Sequence, residues 1–386
     1  MKIITGPPAR GSDFFIRDNI INKMWESIQS KSNIMLIAPR RVGKTSIMYH
    51  LRDNPKEPYN LIYLDTESVN NENEFYKKLL SKVLTSNFIN TKDKLTSKIK
   101  ELSPGIKKIG PDGVEFDRSK EFSYFNEFLN IIDKIDTNDQ NLIILLDEFS
   151  QTVENIKNDE GEKEAIHFLQ TKRSMRQEHL IDNNIRFIYS GSIGLGNIVR
   201  RINATKTIND LQPIKLQPLS YNQAVKFINK LLEKYNFTIN DNPIEYILDS
   251  IEWLIPFYIQ LVIQVIKDDY RLDGSLDIDE DYIENVFDRI IGQQHYFDNW
   301  HSRLKTLFKT DEYNFCKELL NTISEDGTIQ INKIRNIAVK YDIKDQYKNI
   351  LNSLVYDGYI NNNDKQKIYR FNSPILRRWW WKYVAN

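Results

Sequence analysis

One short stretch of the sequence has residue types and spacing that suit phosphate binding. It reads APRRVGKTS and covers residues 38–46. Successive backbone N–H groups at a strand-to-helix turn can hold phosphate oxygens, and a lysine such as Lys44 can reach the β- and γ-phosphates. Gly43 keeps side-chain atoms away from the phosphates, and the Thr45 hydroxyl can ligate Mg²⁺. The stretch therefore predicts a site for a nucleoside triphosphate and its magnesium ion.

Ala38 stands where the usual pattern G-x-x-x-x-G-K-[ST] has its first glycine. At that position the chain is just leaving the strand and has not yet wrapped around the phosphates, so a methyl group can be accommodated there. The two arginines of the stretch are not needed to hold phosphates, and we expect them to contact a lid or a partner. The candidate nucleotide-binding residues are Ala38, Pro39, Arg40, Arg41, Val42, Gly43, Lys44, Thr45 and Ser46.

A second motif follows about 100 residues later in the stretch NLIILLDEFS, residues 141–150. Five apolar residues predict a buried strand that ends at Asp147. Asp147 is placed to hold Mg²⁺ through water, and Glu148 to polarise the attacking water. An apolar run that ends in Asp-Glu is common by itself. Together with Lys44 it predicts hydrolysis of the nucleotide.

Strands alternate with helices in the first half of the chain, which favours crossover units and a parallel sheet. A Pro-Asp-Gly turn within residues 106–117 predicts a surface hairpin. The fold class is therefore α/β. The predicted buried strands are residues 33–38, 59–65, 141–147 and 185–192, and helical patterns cover residues 73–84 and 121–135.

The pattern becomes helical from about residue 213. Ser220 and Gln223 form a capping box at the start of a helix, and Asn242-Pro243 begins another. Near the C-terminus, helices precede two short strands around a polar turn, which is typical of a winged helix. We predict three domains: a P-loop NTPase domain (1–212), a small helical lid (213–300) and a winged helix (301–386).

These motifs occur in an order that resembles a known family. APRRVGKTS, LLDEF, SGS, LQPLS and the terminal winged helix together resemble the AAA+-like STAND P-loop ATPases of the archaeal-type ATPase branch. There is a distant similarity to origin-recognition ATPases. The resemblance covers nearly the whole chain and implies ATP as the nucleotide, since no guanine-reading Asn-Lys-x-Asp motif is present.

The resemblance also implies roles for residues outside the two motifs. Ser190 or Ser192 matches the first sensor of the γ-phosphate, although an ordinary polar strand end fits as well. Pro218 and Pro256 match prolines that set the lid against the nucleotide, while either could simply start a helix.

Three arginines have possible roles by the same resemblance. Arg17 lies in the box that packs near the adenine, although Ile16 stands where the family has glycine. Arg200-Arg201 is the double arginine after the sensor strand. An arginine reaching a neighbouring subunit's γ-phosphate would accelerate hydrolysis strongly; a solvated loop pair is the plainer interpretation.

Composition excludes several other classes of protein. Lys plus Arg and Asp plus Glu are both 53, so net charge points to neither nucleic acid nor membrane. The single cysteine, Cys316, excludes an internal disulfide and a cysteine-rich metal site, and the five histidines have no metal-ligand spacing. There is no signal-peptide core, and the longest apolar stretch is about 13 residues, too short to span a bilayer. We expect a cytoplasmic protein.

The C-terminal residues carry an excess of positive charge and three successive tryptophans. Asp364 is the one acid against Lys365, Lys367, Arg370, Arg377, Arg378 and Lys382, so the wing could contact DNA phosphates. The candidate recognition helix (344–359) has no arginine to read guanine edges, so base-specific recognition is not expected. Trp379, Trp380 and Trp381 span about 200° on a helix and cannot all face one core.

The motifs and the resemblance together favour a Mg²⁺-dependent ATPase with slow turnover. We expect it to act as a molecular switch that regulates a protein partner or works by self-association. One alternative is an ATP-dependent DNA-binding protein of origin-recognition type. Another is the ATPase subunit of a defence-type complex with a separate effector.

Overall fold

The structure is a computed structural model. It describes residues 1–86, 105–110, 113–117, 123–134, 141–178, 181, 184–191, 194–363 and 365–385. The chain forms two compact units. We call Ile16–Ala38 with Lys44–Leu216 the sheet unit, and Met1–Phe15, Pro39–Gly43 and Gln217–Asn386 the helical unit.

The sheet unit is built on five parallel strands in the order β2-β5-β6-β1-β7, with a separate antiparallel hairpin β3-β4. A single 3-10 turn lies at Thr205–Ile208. In chain order the elements are α1 (Asp18–Gln29), β1 (Ile34–Ile37), α2 (Lys44–Asp53), β2 (Tyr59–Asp65), α3 (Glu72–Leu84), β3 (Ile106–Gly110), β4 (Gly113–Phe116), α4 (Tyr124–Lys134), β5 (Asn141–Asp147), α5 (Phe149–Asp159), α6 (Glu162–Gln177), β6 (Ile185–Ser190), α7 (Leu195–Arg201) and β7 (Gln212–Lys215).

The four predicted strands and the hairpin are confirmed, with ends that differ by one or two residues. Burial on both faces holds for the central strands β5 and β6, whereas β2 is half-exposed because it lies at the sheet edge. The edge strand β7 was not predicted. It has four residues and contains Pro213, both of which weaken a strand signal. The predicted boundary after residue 212 falls inside this strand.

The strand register places the important strand ends at one edge of the sheet. Asp65 lies beside Asp147, and Leu36 lies beside Ser190. Strand β6 lies between the strand that leads into residues 38–46 and the strand that ends at Asp147. In open parallel sheets this carboxyl edge is where ligands bind.

Aromatic rings form the core behind that edge. Phe75 of α3, Phe149 of α5, Phe168 of α6 and Tyr189 of β6 are all buried. Phe149 contacts each of the other three, with ring centroids 6.1, 5.6 and 4.7 Å away. Because Phe149 follows Glu148 directly, this cluster fixes the start of α5 against the sheet.

The helical unit consists of nine helices and one small sheet of order β8-β10-β9 among its described residues. Two 3-10 turns lie at Gly11–Asp13 and Gln294–Tyr296. In chain order the elements are α8 (Tyr221–Glu233), α9 (Asp241–Ile251), α10 (Pro256–Asp273), α11 (Glu280–Gly292), α12 (Asp298–Leu307), α13 (Thr310–Asp326), β8 (Thr328–Gln330), α14 (Ile331–Lys340), α15 (Tyr347–Asp357), β9 (Ile360–Asn361), β10 (Ile368–Phe371) and α16 (Pro374–Trp380), followed by a π-helical turn (Trp381–Ala385).

The predicted helix starts are confirmed. The capping box at α8 has both of its hydrogen bonds, between the Ser220 side chain and the Gln223 backbone and in the reverse direction. Pro256 is the first residue of α10, where its missing N–H costs no hydrogen bond. At the C-terminal end, Trp379 and Trp380 are buried and Trp381 is 49% exposed. The three rings therefore do not share one core, as their helical spacing requires.

Candidate nucleotide-binding site

The loop between β1 and α2 has a backbone that its sequence explains. Gly43 has φ +103°, a conformation that side chains other than glycine rarely adopt. Arg41 has φ +61°, which costs a non-glycine residue about 1–2 kcal/mol. Ala38 and Val42 are buried, so the methyl group of Ala38 is accommodated. Strained loop backbones of this kind are frequent at ligand sites.

Lys44 is the first residue of α2, and its ammonium group lies along the loop. The Nζ atom donates a hydrogen bond to the Ala38 carbonyl at 3.1 Å, and the side chain is buried. Ser46, two residues after Lys44 in the same helix, is also buried. The positive end of α2 and this ammonium group together suit an anion at the loop.

The loop residues themselves contact aromatic side chains of the helical unit. The guanidinium carbon of Arg41 lies 3.8 Å from the ring centroid of Phe257. Burial lowers the pKa of Arg41, while the neighbouring Tyr258 acts in the opposite direction. Phe257 belongs to residues 213–300, the predicted lid, and the action of this range as a lid stays a prediction.

A second close approach in the same unit brings Pro39 and Trp253 near Gly358. Gly358 has φ +88°, and a Cβ atom there would lie 2.5 Å from Cη2 of Trp253 and 3.2 Å from Cβ of Pro39. No larger residue fits without movement of the tryptophan ring. Gly358, directly after α15, thus lies close to both Trp253 and Pro39 of the phosphate loop.

In the sheet unit, the Asp147 carboxylate accepts four hydrogen bonds. Its Oδ2 accepts from the Thr45 hydroxyl at 2.7 Å and from the Tyr63 phenol at 2.9 Å. Its Oδ1 accepts from the Ser190 hydroxyl at 2.9 Å and from the Glu148 backbone N–H at 3.1 Å. The carboxylate is buried, and the network joins both predicted motifs to the predicted sensor strand.

Two neighbours of Asp147 are unusual: Glu148 in its backbone conformation and Tyr63 in its pKa. Glu148 has a left-handed backbone, φ +53° and ψ +29°, immediately before α5. Strain at a non-glycine residue is typical of functional positions. Burial, together with the charge of Asp147, raises the pKa of Tyr63, so this phenol stays protonated and donates its hydrogen bond. Tyr63 was not predicted, since no local pattern marks a tyrosine two residues before a strand end.

The residues at this edge fit a magnesium ion and a triphosphate. Mg²⁺ prefers oxygen ligands, and the hydroxyl of Thr45 and the carboxylate of Asp147 are adjacent and already oriented toward each other. The loop supplies a glycine with positive φ and an ammonium group for the phosphates.

The other predicted site residues are distributed as follows. Ser190 contacts Asp147 directly, whereas Ser192 lies outside the described residues. Arg201 donates to the buried carboxylate of Glu154 at 3.1 Å, and Arg200 is exposed at the end of α7 beside Asn197. Of the two, Arg200 is the one presented to solvent.

Arg17, Pro218 and Pro256 are each described within one unit. Arg17 is buried in the sheet unit, where desolvation lowers its pKa to about 10. Pro218 precedes the N-cap of α8 by two residues, and Pro256 starts α10 directly before Phe257. The helix-start position of Pro256 is visible in the structure. The roles of Arg17, Pro218 and Pro256 toward a nucleotide stay predictions.

The sheet order, the loop after β1 and the acidic end of β5 define an α/β P-loop NTPase fold. No family model matches the chain, and no curated protein matches it by sequence. Among solved structures, it is similar to the Walker-type ATPase PABY2304 of Pyrococcus abyssi, with a TM-score of 0.61 and 18% identity over 98% of this chain and 99% of that one.

A second similar structure is the ORC2 protein of Aeropyrum pernix in ADPNP–ADP complexes. It has a TM-score of 0.59 and 13% identity over 96% of this chain and 92% of that one. The ADP form of ORC2 gives a TM-score of 0.50 at 13% identity, over 94% and 92%. At the level of fold, these similarities confirm the predicted resemblance to archaeal-type and origin-recognition ATPases.

Among the described residues, no helix is long and apolar enough to cross a bilayer. No group of three or more His, Cys, Asp or Glu side chains in the same part of the chain could hold a metal ion by itself.

Proposed function

We propose that this protein is a Mg²⁺-dependent ATPase that works as a nucleotide-controlled switch. The observation that carries the proposal is the Asp147 carboxylate, which accepts hydrogen bonds from Thr45 and Ser190. One acidic group thereby connects the phosphate loop, the acidic strand end and the sensor strand. A nucleotide site needs these three parts together for hydrolysis.

Each residue then has a role in the proposed reaction. The loop amides of residues 40–43 and the ammonium group of Lys44 bind the phosphates. Thr45 and Asp147 hold Mg²⁺, which when bound neutralises charge that develops on the phosphate oxygens. Glu148 accepts a proton from the attacking water. Ser190 positions Asp147 by its hydrogen bond and is the candidate sensor of the γ-phosphate.

The similar proteins support ATP as the nucleotide. One is described as a Walker-type ATPase, and the other was solved in ADPNP–ADP complexes. We further propose the division into an ATPase domain (1–212), a lid (213–300) and a winged helix (301–386). In this division Arg17 lies near the adenine, and Pro218 and Pro256 set the lid against the nucleotide. The γ-phosphate would change the docking of the lid and winged helix only by its different affinity for the two arrangements.

We propose a protein partner as the target of the switch, including a second copy of the chain to which exposed Arg200 could be presented. Binding to DNA is the alternative, since one similar fold is an ORC protein. Two of the six C-terminal cations form ion pairs within the chain, Arg370 with Glu252 and Arg378 with Glu284. This pairing leaves fewer free charges for a phosphate backbone.

Glu148→Gln is the experiment that tests the proposed chemistry. The amide keeps the size of the side chain and cannot accept the proton, so we expect nucleotide binding to persist and turnover to fall by about 10²- to 10⁴-fold. Steady-state phosphate release with Mg-ATP and equilibrium binding of ATP measure the two quantities. Lys44→Ala serves as the comparison, because it should abolish binding itself.

Turnover of Glu148→Gln at the wild-type rate would show that the base is wrongly assigned. The same assay with duplex DNA separates the two proposed targets. Turnover that rises with DNA and falls again with salt would favour the DNA-binding alternative. Turnover indifferent to DNA would favour a protein partner.

A further inference from the structure

The sheet unit contains a cavity of about 440 Å³ at the first turn of α3. The beginning of α4 and residues of α6 form its other walls. Its lining includes Glu72, Tyr76, Phe125, Glu160 and His167. None of these residues belongs to the proposed nucleotide site, so the cavity is a separate feature of the unit.

Two of the lining residues carry buried polar atoms that lack a hydrogen-bond partner among the described residues. They are the Tyr76 phenol oxygen and Oε1 of Glu72. Tyr76 is 1% exposed, and burial, with the charge of Glu72, raises the pKa of its phenol. Buried polar groups in proteins are almost always satisfied. A ligand in the adjacent cavity would supply the missing partners.

The charges around the cavity select the kind of ligand. Glu72 and Glu160 are acidic, and the described lining residues include neither lysine nor arginine. Desolvation raises the pKa of Glu160, and the nearby Glu164 and Glu72 raise it further, as expected where negative charges are close together. His167 lies 3.7 Å from Oε2 of Glu72 and carries charge only when protonated. A cation would relieve this repulsion.

The aromatic residues of the lining suit an organic cation. The rings of Tyr76 and Phe125 lie 4.8 Å apart with a tilt of 51°. Aromatic faces attract ammonium and guanidinium groups. The same neighbourhood already shows such packing, since the Lys172 Nζ lies 3.7 Å from the ring centroids of Phe75 and Tyr76.

Lys172 does not compete for the ligand position. It is fully buried, and its Nζ has no hydrogen-bond partner in the described part of the chain. Burial lowers its pKa, although Glu72 acts in the opposite direction. Burial disfavours the charged form of this amine, so Lys172 offsets the charge of Glu72 less than an exposed lysine would.

We propose that this cavity binds an organic cation through a primary ammonium or guanidinium group. The group would hydrogen-bond to Glu72 and Tyr76, and Glu160 would add attraction at the rim. The source is either a free amine or the side chain of a lysine or arginine on a partner protein, because both present the same chemistry.

The test measures binding to the full-length protein by isothermal titration. The probes are agmatine, spermidine and a blocked peptide with one central arginine. The same blocked peptide with citrulline in place of arginine is the matched control that lacks the charge. Glu72→Gln should weaken binding by about tenfold or more, since a hydrogen bond to a charged group is lost. Tyr76→Phe should weaken it by a smaller factor. Glu26→Gln, on the exposed face of α1, has the same charge change and should leave binding unaltered.

Saturable binding of agmatine or spermidine that Glu72→Gln reduces would identify a free amine as the ligand. Binding of the arginine peptide alone, with the same sensitivity, would identify a partner's side chain. Citrulline binding as tightly as arginine would overturn the proposal. So would a failure of every probe to bind, or binding that Glu72→Gln and Tyr76→Phe leave unchanged while thermal unfolding shows both variants folded.

Discussion

The two parts of the stretch 38–46 are held by different kinds of contact. Thr45, in α2, is joined by a hydrogen bond to Asp147, which Tyr63 and Ser190 hold as well. Among residues 39–43, Arg41 lies over the Phe257 ring, and Pro39 lies close to Gly358, whose backbone packs against the Trp253 ring. Hydrogen-bonded groups have fixed directions, whereas ring contacts tolerate sliding.

This difference indicates which part of the site is set before a nucleotide arrives. The groups that would hold magnesium are already oriented, so they need little rearrangement. The loop that would hold the phosphates depends on side chains of the helical unit, through apolar and cation–π contacts. We therefore expect changes at Asp147 to affect chemistry, and changes at the ring contacts to affect stability and loop position.

Asp147→Asn should have the largest effect. Its NH₂ group would replace one carboxylate oxygen and face two of the four donors, and the charge that attracts Mg²⁺ would be lost. We expect turnover to fall by about 10²- to 10³-fold, which corresponds to several kcal/mol of charge stabilisation. Phosphate release measures this loss, and ATP binding in the presence of EDTA should be retained.

Asp65→Asn is a matched control for that prediction. Asp65 is the last residue of the neighbouring strand and lies in register with Asp147, yet it is exposed. Equal losses in the two variants would contradict a special role for Asp147.

Gly358→Ala should have an intermediate effect, on stability. The added methyl group would meet the Trp253 ring at 2.5 Å in a residue with φ +88°. We expect the free energy of unfolding to fall by about 2–4 kcal/mol, from the clash and the backbone strain together. Urea unfolding measures it.

Gly292→Ala, in the same unit, is the control for this substitution. No atom lies within 4 Å of a Cβ atom at that position, so its effect should be small. Trp253→Ala removes a buried ring and is itself destabilising, so Gly358→Ala is also measured in the Trp253→Ala background. There it should cost less than in the wild-type protein, because the clash is absent. An equal cost in the two backgrounds would show that the ring is not the obstacle.

Loss of the contact between Arg41 and Phe257 should have the smallest effect on the free energy of unfolding. A double-mutant cycle of Arg41→Gln and Phe257→Leu should give a coupling energy of about 1 kcal/mol, because the cation is partly desolvated over the ring. Urea unfolding of the four proteins provides the cycle. Pairing Arg41→Gln with Tyr221→Leu, an exposed aromatic of the same unit, should be additive. Additivity in both cycles would show that the stacking contributes nothing.

Apart from Tyr63, the residues of the hydrogen-bonded part were predictable from the sequence, and the partners in the ring contacts were not. Lys44 and Asp147 lie in local motifs, and the rule that parallel strands share an edge brings Ser190 to them. Trp253 and Gly358 lie about 210 and 315 residues beyond Gly43 and belong to no motif. Their proximity depends on how helices pack, which local periodicity does not encode.

Arg201 shows the same limit at a single side chain. The sequence left open whether the pair at 200 and 201 is solvated or reaches another subunit. The structure pairs Arg201 with Glu154, which is 47 residues away and buried. Nothing local to either residue predicts that pairing. Strand β7 was missed for a different reason, since four residues with a proline carry too little pattern.

The exposure of the tryptophans has an optical consequence. Five of the six indoles, at positions 25, 253, 300, 379 and 380, are less than one-tenth exposed, and Trp381 is about half exposed. An aqueous quencher such as iodide would therefore reach one indole much more readily than the others. The intrinsic fluorescence thus carries a single accessible emitter at the C-terminal turn, which would report on anything that covers this end of the chain.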